Sequence, residues 1–150
     1  MNAPPLPVFC HRFAFPPQAE DENLHVNNVE YVRLMQESAI AHTLRNGWTP
    51  DELRARGWTW VVRSHFVEYL RPCRAGEEIA VHTWVSDFRK IRSLRKYRFV
   101  RLADSAVLAH ARTDWVFLDF RLGRPVAIPP EILAAYEIVP DDSPLLAQLP

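Results

Sequence analysis

The sequence predicts an α+β fold in which an antiparallel sheet wraps around one long helix. A single strong helical pattern of about 18 residues begins near Asn28. After residue 58 the composition changes to four segments rich in Val, Phe, Trp and Tyr, joined by short turns. Consecutive strands with short connections pair as antiparallel hairpins. The long helix is apolar enough to be covered by their sheet.

The first half of the chain carries one strand and two helices. Residues 1–7 are Pro-rich and are expected to be loose. Residues 8–15 alternate apolar and polar side chains, which predicts a strand, and residues 18–26 form a loop. Thr49 begins a capping box with Pro at the next position, so a short helix follows and ends at Gly57.

The second half is predicted to be mainly β. The four predicted strands cover residues 58–70, 78–88, 92–102 and 106–120. A last short helix is predicted from Pro130 to about residue 136, and residues 140–150 are expected to be a loose tail. We expect residues 1–150 to form a single domain, because this length can bury a sizeable core.

The loop before the long helix concentrates polar groups. Residues 21–28 read Asp-Glu-Asn-Leu-His-Val-Asn-Asn, and Asn27 suits the N-cap position of the helix. The free N–H groups of the first helical turn, at the positive end of the helix dipole, point back toward Asp21, Asn23 and His25. Such an arrangement can polarise a carbonyl group.

One face of the long helix is predicted to be buried against the sheet. Its apolar residues recur at helical spacing. They are Val29, Val32, Met35, Ala39, Ile40 and Thr43. Asn46 and Gly47 end the helix.

Residues 21–31 also resemble a known motif. The pattern Asp-x-Asn-x-His-Val-Asn-Asn-x-x-Tyr is similar to that of hotdog-fold thioesterases, closest to plant acyl-ACP thioesterases and near the 4-hydroxybenzoyl-CoA thioesterase-like group. The matching residues are Asp21, Asn23, His25, Asn27, Asn28 and Tyr31. Segments 69–77 and 114–125 resemble later parts of the same family, so the resemblance spans roughly residues 8–136.

The resemblance implies a fold, an activity and an assembly. The fold would be a hotdog, and the activity would be hydrolysis of an acyl-CoA or acyl-ACP thioester without a cofactor. Family members assemble as dimers or tetramers whose sheets join edge to edge, with active sites between subunits. The alternative is a non-catalytic hotdog protein that binds acyl-CoA as a sensor. A sensor has no need of the Asp21 carboxylate, and turnover would distinguish the two.

The resemblance also implies a role for each motif residue. Asp21 would attack the thioester carbonyl or activate a water molecule, and the sequence does not choose between these roles. Asn23 would orient the water or the carboxylate, or serve only as a turn residue. His25 would fix the loop or act as a base. The backbone N–H of Asn28 would stabilise the oxyanion.

Three further motif positions are candidates for substrate binding. Asn27 caps the helix beside the site, and Tyr31 is either a core aromatic or a substrate contact. Leu24 departs from the family, which often has Gly before the His. A Leu with positive φ would be strained, or it could line an acyl pocket. Plant acyl-ACP thioesterases also use a more distant Glu, for which the candidates are Glu37, Glu52 and Glu68.

A basic run follows the second long strand. Arg89, Lys90 and Arg92 flank a predicted β-turn. They could bind the phosphates of CoA, or the phosphopantetheine and acidic surface of a carrier protein, because Arg bonds two phosphate oxygens at once. Otherwise the run is a solvated hairpin with paired charges.

Composition excludes several other classes of protein. The 18 basic and 18 acidic residues balance, so no global field favours nucleic acid or an anionic membrane. Cys10 and Cys73 are too few for a disulfide framework, and no Cys/His spacing suits a metal site. There is no Gly-rich phosphate loop, signal peptide or membrane span, so a soluble, cytoplasmic protein is expected.

Overall fold

The computed structural model describes residues 4–150, which form one antiparallel sheet of six strands and four α-helices. A 3-10 helix, Pro17–Ala19, precedes the motif loop. The strands are β1 Val8–Ala14, β2 Trp58–Tyr69, β3 Glu78–Phe88, β4 Arg92–Arg101, β5 Ala106–Asp119 and β6 Arg124–Pro125. The helices are α1 Asn28–Arg45, α2 Pro50–Ala55, α3 Pro130–Leu133 and α4 Pro144–Ala147.

The predicted α+β class is confirmed. The sheet order is β1-β3-β4-β5-β2, with β6 beside β5, and every neighbouring pair of strands is antiparallel. β1 and β2 therefore form the two long edges of the sheet. Each of the four long strands begins at the residue that the sequence predicts, and α1 begins at Asn28.

The long helix packs on one face of the sheet, but its buried stripe differs from the predicted one. Its buried residues are Tyr31, Leu34, Met35, Ser38, Ala39 and His42. Val29 and Ile40, which were predicted to be buried, are 65% and 51% exposed. The apolar pattern predicted the wrong stripe because two polar residues, Ser38 and His42, lie on the buried face. Ser38 is compatible with burial because its hydroxyl donates to the carbonyl of Leu34 at 2.7 Å.

A buried polar cluster joins the second half of α1 to the sheet. Nη1 of Arg95 on β4 donates to Nδ1 of His42 at 2.9 Å and to Oγ1 of Thr83 at 3.1 Å. Because Nδ1 accepts, Nε2 of His42 carries the proton and donates to the carbonyl of Leu6 at 2.6 Å. Burial, and then the charge of Arg95, lower the pKa of His42 to about 4. The imidazole is therefore neutral at pH 7.

Both ends of the described chain pack on the rest of the protein. The N–H of Leu6 donates to Oδ1 of Asn46 at 3.1 Å, and residues 1–3 lie outside the described part. Residues 140–150, which were expected to be loose, contact β4 instead. Lys96 pairs with Asp141 at 2.7 Å, and Arg98 donates to the carbonyl of Leu146 at 3.4 Å. These polar contacts join residues that are far apart in sequence, so local composition could not predict them.

None of the helices within residues 4–150 has the length and apolar character needed to cross a membrane.

His42 predicts a specific dependence of stability on pH. Its pKa is about 4 in the folded state against 6.5 for an unperturbed His, so the unfolded state binds more protons between these values. Its contribution is therefore complete above pH 6.5 and is lost as the pH falls toward 4, by at most about 3 kcal/mol. We expect urea denaturation to give a smaller free energy of unfolding at pH 4.5 than at pH 7.

The matched variant is His42→Gln, which keeps a donor and an acceptor but does not titrate in this range. Burial also lowers the pKa of His65 and His82, so the wild type and the variant share that part of the slope. An identical pH slope in both proteins would contradict the assignment to His42.

Candidate active site at the start of the long helix

The motif loop is closed by hydrogen bonds to both the backbone and the side chain of Asp21. The N–H of Asp21 donates to the carbonyl of His25 at 2.9 Å, and the N–H of Leu24 donates to the carbonyl of Asp21 at 3.0 Å. Oδ1 of Asp21 accepts the N–H of Asn23 at 2.9 Å. The second carboxylate oxygen makes no hydrogen bond to any of residues 4–150 and is available to a substrate or water.

The loop is also fixed to the segments on either side of it. The N–H of Val26 donates to the carbonyl of Cys73 at 2.8 Å, and the N–H of Asn27 donates to the carbonyl of Ala19 at 2.9 Å. Cys73 belongs to the segment after β2 that resembles the hotdog thioesterases. The backbone of the loop is thus held in place from two directions, although its side chains are largely exposed.

The start of α1 offers one unpaired backbone donor. Oδ1 of Asn27 accepts the N–H of Val29 at 3.0 Å, which confirms the predicted N-cap. The N–H of Asn28 donates to none of residues 4–150, whereas its carbonyl accepts the hydroxyl of Tyr69 at 2.8 Å. Tyr69 thereby fixes the first residue of the helix, Asn28, and leaves the N–H of Asn28 free.

Tyr31 lies beneath the loop in the core. It is 2% exposed, and its ring centroid is 5.7 Å from that of Phe15, 5.2 Å from that of Tyr69 and 5.2 Å from that of Phe99. Burial raises the pKa of its hydroxyl. Tyr31 therefore supports the start of the helix, and its contact with substrate remains a prediction.

Leu24 has the backbone conformation that favours glycine. Its φ is 62°, and its side chain is 60% exposed. The left-handed region places the Cβ of an L-residue close to its own backbone, so this position is strained. Glycine, which the resemblance leads us to expect at this position, adopts such a φ without strain.

The structure does not bring the predicted basic turn to Asp21 within one protomer. The segment before β3 lies near the motif loop, since the N–H of Gly76 donates to the carbonyl of Phe15 at 3.0 Å. β3 then runs for 11 residues, or roughly 35 Å, to the turn that holds Arg89, Lys90 and Arg92. That turn lies at the opposite end of the sheet.

Two other arginines lie closer to the loop and were missed in the sequence. Arg71 and Arg74 flank Cys73, whose carbonyl binds the loop. Arg74 pairs with Glu20 at 3.4 Å, whereas Arg71 is exposed and pairs with no carboxylate of residues 4–150. Both arginines belong to the segment 69–77 that resembles the hotdog thioesterases, which is the sequence signal that could have identified them.

None of the three candidates for a more distant Glu hydrogen-bonds to the motif loop within residues 4–150. Glu37 and Glu68 are exposed on α1 and β2. Glu52 is engaged in the capping box of α2, where its Oε2 accepts the N–H of Thr49 at 3.4 Å. Within residues 4–150 no group of three or more His, Cys, Asp or Glu could hold a metal ion.

A cavity of about 430 Å³ opens beside the second half of α1 rather than at Asp21. Its nearest helical residue to the loop is Gln36, eight residues after Asn28 and therefore roughly 12 Å along the helix. The polar groups of the motif loop and the space of this cavity therefore lie apart along α1.

The family model described as the thioesterase-like superfamily matches residues 15–136. The chain belongs to this superfamily. A comparison with curated proteins finds no sequence match.

Three solved structures illustrate the likeness of this superfamily member to thioesterases. A putative oleoyl thioesterase from Lactobacillus plantarum has a TM-score of 0.81 at 19% identity, over 89% of this chain and 52% of that one. The 12:0-ACP thioesterase from Umbellularia californica has 0.77 at 23%, over 90% and 54%. A 1,4-dihydroxy-2-naphthoyl-CoA thioesterase from Synechocystis has 0.79 at 13%, over 85% and 94%.

These likenesses establish the fold. At such identities they show that the superfamily member has a hotdog fold, an antiparallel sheet curled around a helix. The chain spans about half the length of the first two of these structures. Superfamily and fold together support thioester hydrolysis in general, without defining the substrate or the catalytic residue.

The strain at Leu24 predicts that Leu24→Gly stabilises the protein. Glycine adopts positive φ without a steric cost, and this gain exceeds its larger loss of chain entropy by about 0.5–1 kcal/mol. Thermal and urea unfolding measure the change. Leu24→Ala is the control, because it removes the exposed side chain but keeps the strain. An equal gain in both variants would show that the side chain, and not φ, is responsible.

Proposed function

We propose that this protein hydrolyses an acyl thioester carried by coenzyme A or by an acyl carrier protein, with Asp21 as nucleophile or general base. The observation that supports this most is the hydrogen-bonded loop that holds the Asp21 carboxylate in the segment leading into α1, whose first residue, Asn28, has a free N–H. A carboxylate beside an unpaired helix N-terminal donor is what attack on a polarised carbonyl requires.

The reaction adds water to the thioester and releases a carboxylic acid and a thiol. As a nucleophile, Asp21 attacks the carbonyl carbon, the C–S bond breaks, and the resulting anhydride is hydrolysed by water. As a base, Asp21 takes a proton from water, whose oxygen attacks the same carbon; the C–S bond then breaks and the proton passes to the leaving thiolate. In both routes the carbonyl oxygen becomes negative and binds the N–H of Asn28, which lowers the barrier by roughly 2.7–4 kcal/mol.

The neighbouring motif residues are assigned supporting roles. The amide of Asn23 is exposed and orients the attacking water or the carboxylate. His25 closes the loop through its carbonyl, which accepts the N–H of Asp21. Asn27 fixes the helix start, and the exposed side chain of Leu24 covers the bound thioester.

We further propose that two copies join through the β2 edge, as a dimer or within a tetramer. β2 pairs with β5 on one side, and its other edge pairs with no strand of residues 4–150. Large apolar side chains on β2 and α1 are exposed beside that edge. They are Val29, Ile40, Leu44, Val61 and Phe66.

The dimer gives the basic turn a place in the site. A two-fold axis that pairs β2 with β2 reverses the direction of the second sheet. The turn with Arg89, Lys90 and Arg92 of the second copy then lies at the same end as Asp21 of the first. CoA phosphates or a carrier protein would meet both this turn and Arg71.

The first test is Asp21→Asn. The amide oxygen can still accept the N–H of Asn23, so the fold and ligand binding should survive. An amide neither attacks the carbonyl nor takes a proton from water, so kcat should fall by on the order of 100-fold or more. The measurement is thiol release from the best thioester. Glu22→Gln is the matched control, because it neutralises the adjacent exposed carboxylate.

Near wild-type kcat in Asp21→Asn, or an equal loss in Glu22→Gln, would contradict the role of Asp21. If thioesters bind to the wild type without any release of thiol, the acyl-CoA sensor replaces the enzyme.

The second test is the double variant Arg89→Ala with Arg92→Ala. If these residues bind CoA phosphates, their loss raises KM about tenfold or more with little change in kcat. The effect should shrink at high salt and vanish on an N-acetylcysteamine thioester, which has no nucleotide. Arg12→Ala is the control, because Arg12 is exposed on β1 at the other edge of the sheet.

Mixing the two types of variant chain tests the shared site directly. Co-expression of Asp21→Asn chains with Arg89→Ala, Arg92→Ala chains should restore low-KM turnover in mixed dimers, because one site then has both intact halves. If the mixture only averages the two variants, the basic turn does not serve the partner's Asp21. An equal loss on CoA and N-acetylcysteamine esters would mean that the turn supports the fold.

A further inference from the structure

The cavity beside α1 is lined by aromatic side chains and by one buried cation. Trp58 and Trp60 of β2, Trp48 and Tyr136 contribute to the walls, and Arg95 of β4 lies among the residues that line the cavity. Aromatic walls suit the methylene chain or ring of an acyl group. A guanidinium in the same pocket gains nothing from a methylene chain or ring, and it would instead bind an anionic group.

Arg95 is a buried cation without an anionic partner. It is 3% exposed, and it forms no ion pair with any Asp or Glu of residues 4–150. Its contacts with His42 and Thr83 both use Nη1, and its guanidinium carbon lies 5.9 Å from the ring centroid of Tyr136. Buried charges are normally paired, because an unpaired one loses its hydration without compensation.

The unused side of the guanidinium has the geometry that a carboxylate needs. Nε and Nη2 make no hydrogen bond to any of residues 4–150. Their N–H groups lie side by side on one edge of the planar group and can bind two carboxylate oxygens at once. The hydrogen bond from the third nitrogen, Nη1, to His42 fixes the orientation of the guanidinium.

Nothing else in the cavity supplies the missing negative charge. No Asp or Glu is among the described residues that line it. The only other charged residue of the lining is Arg54, an exposed side chain that pairs with Asp51 at 3.5 Å. His42 is neutral because burial and Arg95 lower its pKa to about 4, so it carries no charge that would attract or repel an incoming anion.

We propose that the cavity binds an acyl group whose far end carries a carboxylate, and that Arg95 selects for it by a two-oxygen contact. The inference rests on the proposed thioesterase function, of which it names the substrate class: thioesters of dicarboxylic acids. In the two-fold dimer the α1 helices run antiparallel, so the cavity of one protomer lies on the side of the partner's catalytic loop. The thioester end would lie at that loop and the free carboxylate at Arg95.

The first experiment compares matched substrates on the wild-type protein. Octanoyl-CoA and the mono-CoA thioester of octanedioic acid differ by a methyl group against a carboxylate at the far end, and six- and ten-carbon pairs extend the series. We expect the carboxylate-ended thioester to have the larger kcat/KM by tenfold or more in at least one pair. A preference for the methyl-ended thioester at every length would overturn the proposal.

The variant Arg95→Gln should reverse this preference, while Arg12→Gln on β1 should leave it unchanged. Arg95→Lys keeps the charge without the planar fork, so it should retain only part of the preference. If Arg95→Gln does not fold, Arg95→Lys and the wild-type series still decide the matter. An unchanged preference in a folded Arg95→Gln would overturn the role of Arg95.

A second experiment does not depend on thioester hydrolysis. The tryptophans of the wall report binding by fluorescence, so octanoate can be titrated against its neutral isostere octanamide. Octanoate should bind at least tenfold more tightly to the wild type, and Arg95→Gln should remove the difference. Equal binding of the two probes would overturn the proposal. Octanoate binding without any thioester turnover would contradict the proposed function and leave the anion site standing.

Discussion

The hydrogen bond from the hydroxyl of Tyr69 to the carbonyl of Asn28, at 2.8 Å, joins the end of the edge strand β2 to the first residue of α1. It fixes where the helix begins relative to the sheet. Since it uses the carbonyl, it leaves the N–H of Asn28 free to bind a substrate oxygen. It also places this N–H beside the edge at which a second copy would pair. The candidate chemistry, the assembly and the route to the cavity all depend on this placement.

The opposite end of α1 is held by a different kind of contact. Arg95 donates to His42, and His42 donates to Leu6, so one neutral imidazole connects β4, α1 and the first described residues. Between these two anchors the helix buries Leu34 and Met35 against the sheet. The two anchors differ in the free-energy cost of burying them. Tyr69 makes an ordinary neutral hydrogen bond, whereas Arg95 keeps a charge in the interior that a ligand would compensate.

Local features of the sequence predicted much of the fold. The cap at Asn27 marks the start of α1, and turn residues mark the end of each strand. Both signals can be found in the sequence because caps and turns form between residues that are close together in the chain. The loop from Asp21 to Asn28 could be found for the same reason. The basic turn could not be placed, since its distance from Asp21 depends on how β3 runs across the sheet. It lies at the far end of that strand.

The cavity was also beyond the sequence, for a related reason. Ser93 and Trp115 are 22 positions apart in sequence but are paired across β4 and β5. Arg95 is paired with Thr113, two residues further along β4. In the sequence Arg95 is one of several basic residues on a strand, and alternation shows only that some of them face inward. That it enters the interior without a carboxylate partner depends on the three-dimensional packing. The positive φ of Leu24 and the unpaired charge of Arg95 are departures from local rules of the kind that proteins tolerate at functional sites.

The most direct measurement is thiol release by the wild-type protein over a panel of acyl-CoA and acyl-carrier-protein thioesters of differing chain length and end group. The account predicts that at least one thioester yields free thiol and carboxylic acid in equal amounts, at a rate proportional to protein concentration. Binding of these thioesters without release of thiol from any of them would contradict the account.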